Sequence, residues 1–280
     1  MRIALTVTSS VFVIEIVGGW WSGSLALLAD AGHMFTDVGA LLLAYSAMTL
    51  ADRGPSRRYT FGLHRAEILA AFVNAQILLV VGALVLYESY ERWQQPVPID
   101  ARMMIVVALI GLTANLVSLR YLHGHHQHSL NLRAAYLEVL TDALASIAVV
   151  VAAVLIAWRQ WLWADPLVSV LIALFILPRA WSILRQAGHV LLEGTPAHVD
   201  LAEVHEQLAD LPGVEEIHDF HCWTLTSGVD SASVHVRMRP GGDPAAVRRS
   251  VERIMHSAVG VEHVTVQLEA SSDECLGPTH

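Results

Sequence analysis

The stretch LLADAGHMFTDVGALLLA, residues 27–44, decides the architecture of this chain. It is long and apolar enough to lie in a membrane, yet it carries Asp30, His33 and Asp37. His33 and Asp37 are four residues apart, so on a helix both side chains project from the same face. Ionisable groups inside membrane spans are costly and are functional candidates by default. The stretch therefore predicts a membrane helix with a polar site on one face.

The whole chain has the composition of a membrane protein with a polar tail. Its 280 residues are 54% hydrophobic with a mean hydropathy of +0.49, which is too apolar for an ordinary soluble domain. Residues 1–187 hold 11 acidic and 12 basic residues, whereas residues 188–280 hold 15 acidic and 5 basic ones. We predict a membrane domain over 1–187, a soluble domain over 188–270 and a flexible C-terminal tail over 271–280. An acidic soluble domain suits cations and argues against nucleic acid as a partner.

The membrane domain is predicted to be all-α with six spans. A span needs about 20 mostly apolar residues, and the stretches that qualify are 3–21, 25–50, 67–90, 103–122, 132–158 and 161–184. With the N-terminus inside, nine arginines fall on inner segments and three on outer ones. This excess favours cytoplasmic N- and C-termini in a multi-pass protein of the cell membrane, surrounded by lipid. Asp165-Pro166 is typical of a helix start.

The tail changes period and predicts a small α+β domain. Residues 199–211 have an amphipathic helical pattern, and 243–258 open with Asp243-Pro244, a helix-start signature. Residues 215–225, 231–238 and 263–269 alternate as strands. The order αββαβ predicts an open-faced α+β sandwich.

A second pair of acidic residues lies in the fifth predicted span. AYLEVLTDALAS, residues 135–146, places Glu138 and Asp142 four residues apart. The second and fifth spans run in opposite directions, and both pairs fall near the middle of the membrane. Facing pairs offer one imidazole nitrogen and three carboxylates, enough for a tetrahedral divalent site. A single carboxylate can instead pair with an arginine or a backbone group, but neither span holds Lys or Arg in its interior, and two matched pairs favour a cation site.

Several motifs together resemble the cation diffusion facilitator family, and within it the bacterial cobalt–zinc–cadmium resistance exporters. They are SLALLADAGHMFTDVGALLLA, TFGLHRAEILAAFVNA, AYLEVLTDALAS, DPLVSVLIALFIL and VLLEGTPAHVDLAEV with HDFHCWTLTSG. The resemblance implies a homodimeric, non-enzymatic transporter with a metallochaperone-like cytoplasmic domain. It also implies a Zn²⁺ site at His33, Asp37, Glu138 and Asp142, and export coupled to inward proton flow across the inner membrane. Many zinc-transporting members have His at the position of Glu138, so Cd²⁺ or Co²⁺ is expected beside Zn²⁺.

The ligand set suggests how metal and protons are exchanged. Clustered carboxylates in a low-dielectric cavity repel one another and hold protons while no cation is present. A divalent metal needs deprotonated carboxylates and neutral imidazole, so its binding expels those protons. A metal-gated channel or metal sensor with the same ligands remains the alternative. An intramembrane metalloenzyme is disfavoured, because HMFTD lacks the glutamate of HExxH and four ligands leave no position for water.

Two further groups of residues are candidates for metal binding. The segment HGHHQH precedes the fifth span and is either a metal-gathering loop or a polar linker; its histidines are His123, His125, His126 and His128. The predicted strands of the tail carry His218, His221, Cys222, His235 and Glu269, and Cys275 follows them. The resemblance implies that positions including His218, His235 and Glu269 contribute to cytoplasmic metal sites. The alternative is that these are ordinary polar residues of strands.

Overall fold

The structure is a computed structural model that describes residues 2–51, 56–123, 130–261 and 263–270. Within these ranges the side chains of residues 2–4, 36–37, 40–41, 43–51, 123, 130–135 and 258 are outside the description. By their contacts the residues form two compact units, one helical and one that contains the tail.

The helical unit contains all or most of six long helices. They are α1 (Arg2–Ser22), α2 (Leu25–Ala51), α3 (Arg65–Gln94), α4 (Ala101–His123), α5 (Leu130–Arg159) and α6 (Ala164–Leu191). Among the described residues, five of them contain segments long and apolar enough to cross a membrane. The shorter apolar stretch Leu25–Phe35 lies in α2. The predicted helical membrane domain is therefore confirmed.

Small side chains allow the helices to pack closely. Ala26, Ala153 and Ala180 are completely or almost completely buried in the core of this unit. A Cβ on Gly18 of α1 would collide with the Val107 side chain of α4, so these two helices approach at a position where only glycine fits. Small residues at such crossings are typical of membrane helix packing. Large apolar side chains remain exposed on the helices; they include Val80, Leu84 and Val151.

Asp165 of α6 caps the start of α2, the helix that carries His33. Its buried carboxylate accepts a hydrogen bond from the Ser24 hydroxyl at 2.6 Å and others from the Leu25 and Ala26 amides at 2.9 and 3.1 Å. Arg92 of α3 lies 3.6 Å from the same carboxylate. The first amides of a helix have no partner inside it. Here a side chain from another helix supplies their acceptor and fixes where α2 begins.

The tail folds as the predicted α+β domain. Its elements are α7 (Leu201–Ala209), β1 (Val214–Thr226), β2 (Val229–Met238), α8 (Pro244–Ile254), a π-helical turn (Met255–Val259) and β3 (His263–Ala270). The sheet order is β1-β2-β3, with β1 antiparallel and β3 parallel to β2. Asp200 and Asp243 accept hydrogen bonds from the first amides of α7 and α8, as N-cap residues do.

The core of the tail lies between the sheet and its two helices. Val234 and Val236 of β2 pack there with Leu208 of α7 and Val251 of α8, all essentially without exposed surface. Because strand residues alternate between faces, the intervening His235 lies on the opposite face of the sheet. This alternation brings polar side chains together away from the helices.

Candidate metal centre

One histidine and one carboxylate of the predicted membrane site meet across two helices. The Nε2 atom of His33 in α2 lies 2.9 Å from the Oδ1 atom of Asp142 in α5. The two side chains are only 12% and 16% exposed. Imidazole and carboxylate are both ligands for Zn²⁺ and related ions. The α2–α5 crossing therefore brings together one residue from each of the two predicted pairs.

A cavity of about 460 Å³ surrounds this pair, with walls formed by α2, α5 and α6. His33, Glu138 and Asp142 all line it, and Asp30 contributes a further carboxyl. The remaining wall is largely apolar and comes mainly from α5 and α6. A cavity of this size holds an ion together with water molecules, since one water occupies about 30 Å³ in the liquid. Three of the four predicted membrane ligands therefore share one cavity.

Glu138 is engaged by an arginine that the sequence reasoning did not connect with it. Arg179 Nη2 donates a hydrogen bond to Glu138 Oε1, and the two form an ion pair. Arg179 is one of the nine arginines that the sequence assigns to inner segments, but it lies in the interior of α6, twelve residues before the helix ends at Leu191. The second and fifth predicted spans hold no basic residue in their interiors, and the base that meets Glu138 comes from the sixth. Its position directly after Pro178, inside an apolar span, was the available signal.

Asp37 lies in α2 one helical turn after His33, and its side chain is outside the described set. Its share in the site therefore stays a prediction. The backbone of α2 is helical through both positions, as the four-residue spacing requires.

Buried polar groups extend from the cavity toward α1 and α4. Asp30 is buried and in hydrogen-bonding contact with Ser146, whose hydroxyl also accepts a hydrogen bond from the Asn115 amide at 3.1 Å. Glu15 of α1 is buried too, and its Oε2 atom has no hydrogen-bond partner among the described residues. The Glu15 carboxyl lies against Gly111 of α4, where a Cβ would collide with it. This polar interior is larger than the four ligands predicted from the sequence.

A second cluster of ligand atoms lies on the open face of the tail sheet. His218 of β1, His235 of β2 and Glu269 of β3 each offer one ligand atom, and these atoms lie within 4.8 Å of one another. Glu269 Oε2 is 3.1 Å from His218 Nε2, and Glu269 Oε1 is 3.0 Å from His235 Nδ1. The sheet register explains the meeting, because His218 pairs with His235 across two antiparallel strands.

The donor set of this cluster fits a metal ion. Glu269 is only 7% exposed, and the Nδ1 atom of His218 is buried without a hydrogen-bond partner among the described residues. Buried polar atoms in this condition are costly unless another group satisfies them. Two imidazoles and a carboxylate provide three of the four ligands of a tetrahedral zinc site.

The other tail candidates do not belong to this three-residue cluster. The β1 register shifts between His218 and His221, where Asp219 adopts a positive φ of 49°. His221 is exposed and pairs with Asp219 at 2.9 Å. Cys222 is buried in the apolar core instead, and this burial, followed by the nearby charge of Asp230, raises the pKa of its thiol to about 11. A neutral buried thiol is a poor metal ligand.

Some candidate residues lie outside the described part of the structure. His123 ends α4, and its side chain is not described. Four further candidates lie wholly outside the described residues: His125, His126, His128 and Cys275. Their metal-binding roles stay predictions.

Comparison with known proteins identifies the family to which both sites belong. Residues 1–192 match the cation efflux transmembrane domain, and residues 196–271 match the cytoplasmic domain of cation efflux proteins. The metal cation efflux system protein CzcD of Cupriavidus metallidurans is 42% identical over 98% of this chain and 87% of its own length. The zinc transporter ZitB of Escherichia coli is 40% identical over 98% of this chain and 88% of its own.

Two further proteins extend this comparison. A cadmium, cobalt and zinc/H(+)-K(+) antiporter of Bacillus subtilis is 34% identical over 97% of this chain and 89% of its own. The solved metal-bound C-terminal domain of the CzcD transporter is 40% identical and covers 25% of this chain and 99% of its own, with a TM-score of 0.25. With both family matches in order along the chain and such relatives over nearly its whole length, this chain belongs to the cation efflux family, the cation diffusion facilitators.

Proposed function

We propose that this chain exports divalent metal ions from the cytoplasm in exchange for protons, with Zn²⁺ as the first substrate and Cd²⁺ or Co²⁺ tolerated. The observation that carries the proposal is the His33–Asp142 contact inside a cavity of the helical unit. The relatives support it, since their names describe metal cation efflux, zinc transport and cadmium, cobalt and zinc antiport. The named relatives are transport proteins, and we assign no enzymatic activity to the chain.

The transport site in this proposal consists of His33, Asp37, Glu138 and Asp142. An entering cation replaces the proton shared between imidazole and carboxylate, because it binds the same lone pairs that the proton occupies. The ion separates His33 from Asp142 and becomes their common partner. When the cavity opens to the other side, protons compete the metal away and restore the initial contact. Metal and protons thus exclude each other at one site, which is the requirement for antiport.

The organisation of the protein follows from the same proposal. Residues 1–187 form the transport domain in the inner membrane, and residues 188–270 form a metallochaperone-like domain in the cytoplasm, where both termini lie. The second family match carries a dimer-domain designation, which supports a homodimer joined through the tail. A metal at His218, His235 and Glu269 ties all three strands together and stabilises the tail.

Proton release on metal binding tests the proposal in purified protein. Zinc is added to the full chain in detergent at weak buffering, and the released protons are counted with a pH dye. All proteins carry His235→Ala to weaken the tail cluster. The proposal predicts proton release that falls strongly in Asp142→Asn, while His221→Ala, which alters an exposed tail histidine, changes little. Zinc binding without proton release would contradict it and would favour a metal-gated channel or sensor.

A further inference from the structure

The Glu138–Arg179 ion pair places a permanent cation beside the proposed transport site. Both residues line the same cavity as His33 and Asp142. Their side chains are 34% and 43% exposed, more than those of the His33–Asp142 pair, so they lie at its more open end. Glu138 also lies one turn closer to the start of α5 than Asp142 does. Among the described ligands, Glu138 is therefore the carboxylate closest to the opening of the cavity, and Arg179 pairs with it.

The guanidinium and a metal ion compete for Glu138. A zinc-bound carboxylate oxygen lies about 2.0–2.2 Å from the metal, and Glu138 Oε1 already accepts the hydrogen bond from Arg179. Both competitors are positive, and an arginine remains charged at every working pH. Full coordination by Glu138 therefore requires the ion pair to loosen. The partly exposed arginine has room to withdraw, because the cavity extends between α5 and α6.

A purely structural reading is that Arg179 only neutralises Glu138 within the membrane. That reading predicts that loss of the arginine leaves an unpaired carboxylate and harms the protein generally. Competition predicts something different, namely that loss of the arginine frees a ligand and strengthens metal binding. The two readings therefore differ in the sign of one measurement.

We propose that Arg179 is a positioning residue that holds Glu138 in an ion pair while the site is empty and yields it when a divalent cation enters. This inference rests on the proposed function of Glu138 as a transport ligand. The arginine makes binding weaker than four free ligands would allow. A cation that binds less tightly leaves more readily, so the ion pair favours turnover over affinity.

A double-mutant cycle on the full chain tests this role, with Zn²⁺ binding measured by calorimetry in detergent and Zn²⁺ flux measured in proteoliposomes. Every protein carries His235→Ala to weaken the tail cluster. We expect Arg179→Gln to lower the Kd by about 10-fold, which corresponds to 1.4 kcal/mol, and to slow maximal flux. Arg179→Lys keeps the charge and should restore most of the native values. Arg120→Gln, an exposed arginine near the corresponding end of α4, serves as the matched control and should change neither quantity.

The Glu138→Gln background separates the two proposals. There Arg179→Gln should change the Kd by less than two-fold, because its target charge is gone. If Glu138→Gln itself leaves zinc binding unchanged, Glu138 is not a ligand and the proposed site fails at that residue. Two results would overturn the inference about Arg179 even if Glu138→Gln weakens binding. In one, Arg179→Gln does not strengthen zinc binding; in the other, it changes the Kd equally with Glu138 present and in the Glu138→Gln background.

Discussion

Removing the Asp165 carboxylate should destabilise the helical unit and displace the helix that carries His33. In Asp165→Ala the Ser24 hydroxyl and the amides of Leu25 and Ala26 lose their acceptor, and Arg92 loses a buried carboxylate 3.6 Å away. Loss of a helix cap costs about 0.5–2 kcal/mol, and each buried donor left without an acceptor costs about 1–3 kcal/mol. The loss at Arg92 is smaller than for an isolated buried pair, because Arg92 keeps its ion pair with Glu88 at 3.0 Å. These effects overlap at one side chain, so we expect a total of about 3–5 kcal/mol rather than their sum.

A graded series measures this effect. Ser24→Ala removes two hydrogen bonds, the one that its hydroxyl donates to Asp165 and the one that it accepts from the Leu27 amide, and should cost about 1–2 kcal/mol. Asp165→Asn keeps the size and one acceptor and should fall between Ser24→Ala and Asp165→Ala. Thermal unfolding in detergent should rank the proteins as native, Ser24→Ala, Asp165→Asn and Asp165→Ala. Zinc binding at the membrane site should weaken in the same order, because α2 begins eight residues before His33. If Asp165→Ala melts within experimental error of the native protein, the carboxylate does not hold α2.

Three other predictions concern the tail cluster, the tail core and Glu138. Glu269→Gln should weaken zinc binding by the tail at least 10-fold, because it removes one of three clustered ligands, while the control His221→Ala should leave it unchanged. Calorimetry in a His33→Ala background measures both affinities. Equal effects of the two substitutions would contradict the cluster. In a Cys275→Ser background, Cys222 should resist thiol reagents at pH 8, because a pKa of about 11 leaves only about one thiol in a thousand ionised. The labelling rate of Cys222 should rise toward pH 11 and in urea. Labelling at pH 8 as fast as that of a free cysteine would refute its burial. Glu138→His should raise the ratio of Zn²⁺ transport to Cd²⁺ transport, since it adds an imidazole ligand and removes the partner of Arg179. An unchanged ratio in flux assays would contradict this.

The periodicity of apolar residues predicted the helices and strands, because burial of one face sets this pattern within each short segment. The apolar runs gave a helical membrane domain, and the alternation around His218, His235 and Glu269 placed these residues on strands. The helix start at Asp243-Pro244 depends on neighbouring residues alone, and the structure confirms it. Each of these features is encoded within a short segment of chain.

Contacts between distant segments could not be predicted in the same way. Asp165 has the sequence signature of a helix start, but its carboxylate caps α2, about 140 positions earlier. The charge that meets Glu138 comes from α6, 41 residues away, and no local pattern assigns the partner of an arginine in a span. Cys222 lies four residues after His218, and strict alternation would place both on the same face of the sheet. The shift in register after His218 instead directs Cys222 into the core. In each case the helix packing or sheet register decides which groups meet.

Coupled flux in proteoliposomes tests the central claim most directly. Zinc uptake is followed while an internal dye reports pH, for the native chain and for Asp142→Ala, with Arg120→Gln as a control. The account predicts zinc movement with opposite proton movement in the native and control proteins, and loss of both in Asp142→Ala. Zinc movement without proton movement would show a channel or uniporter, and coupled flux that survives in Asp142→Ala would show that the transport site lies elsewhere.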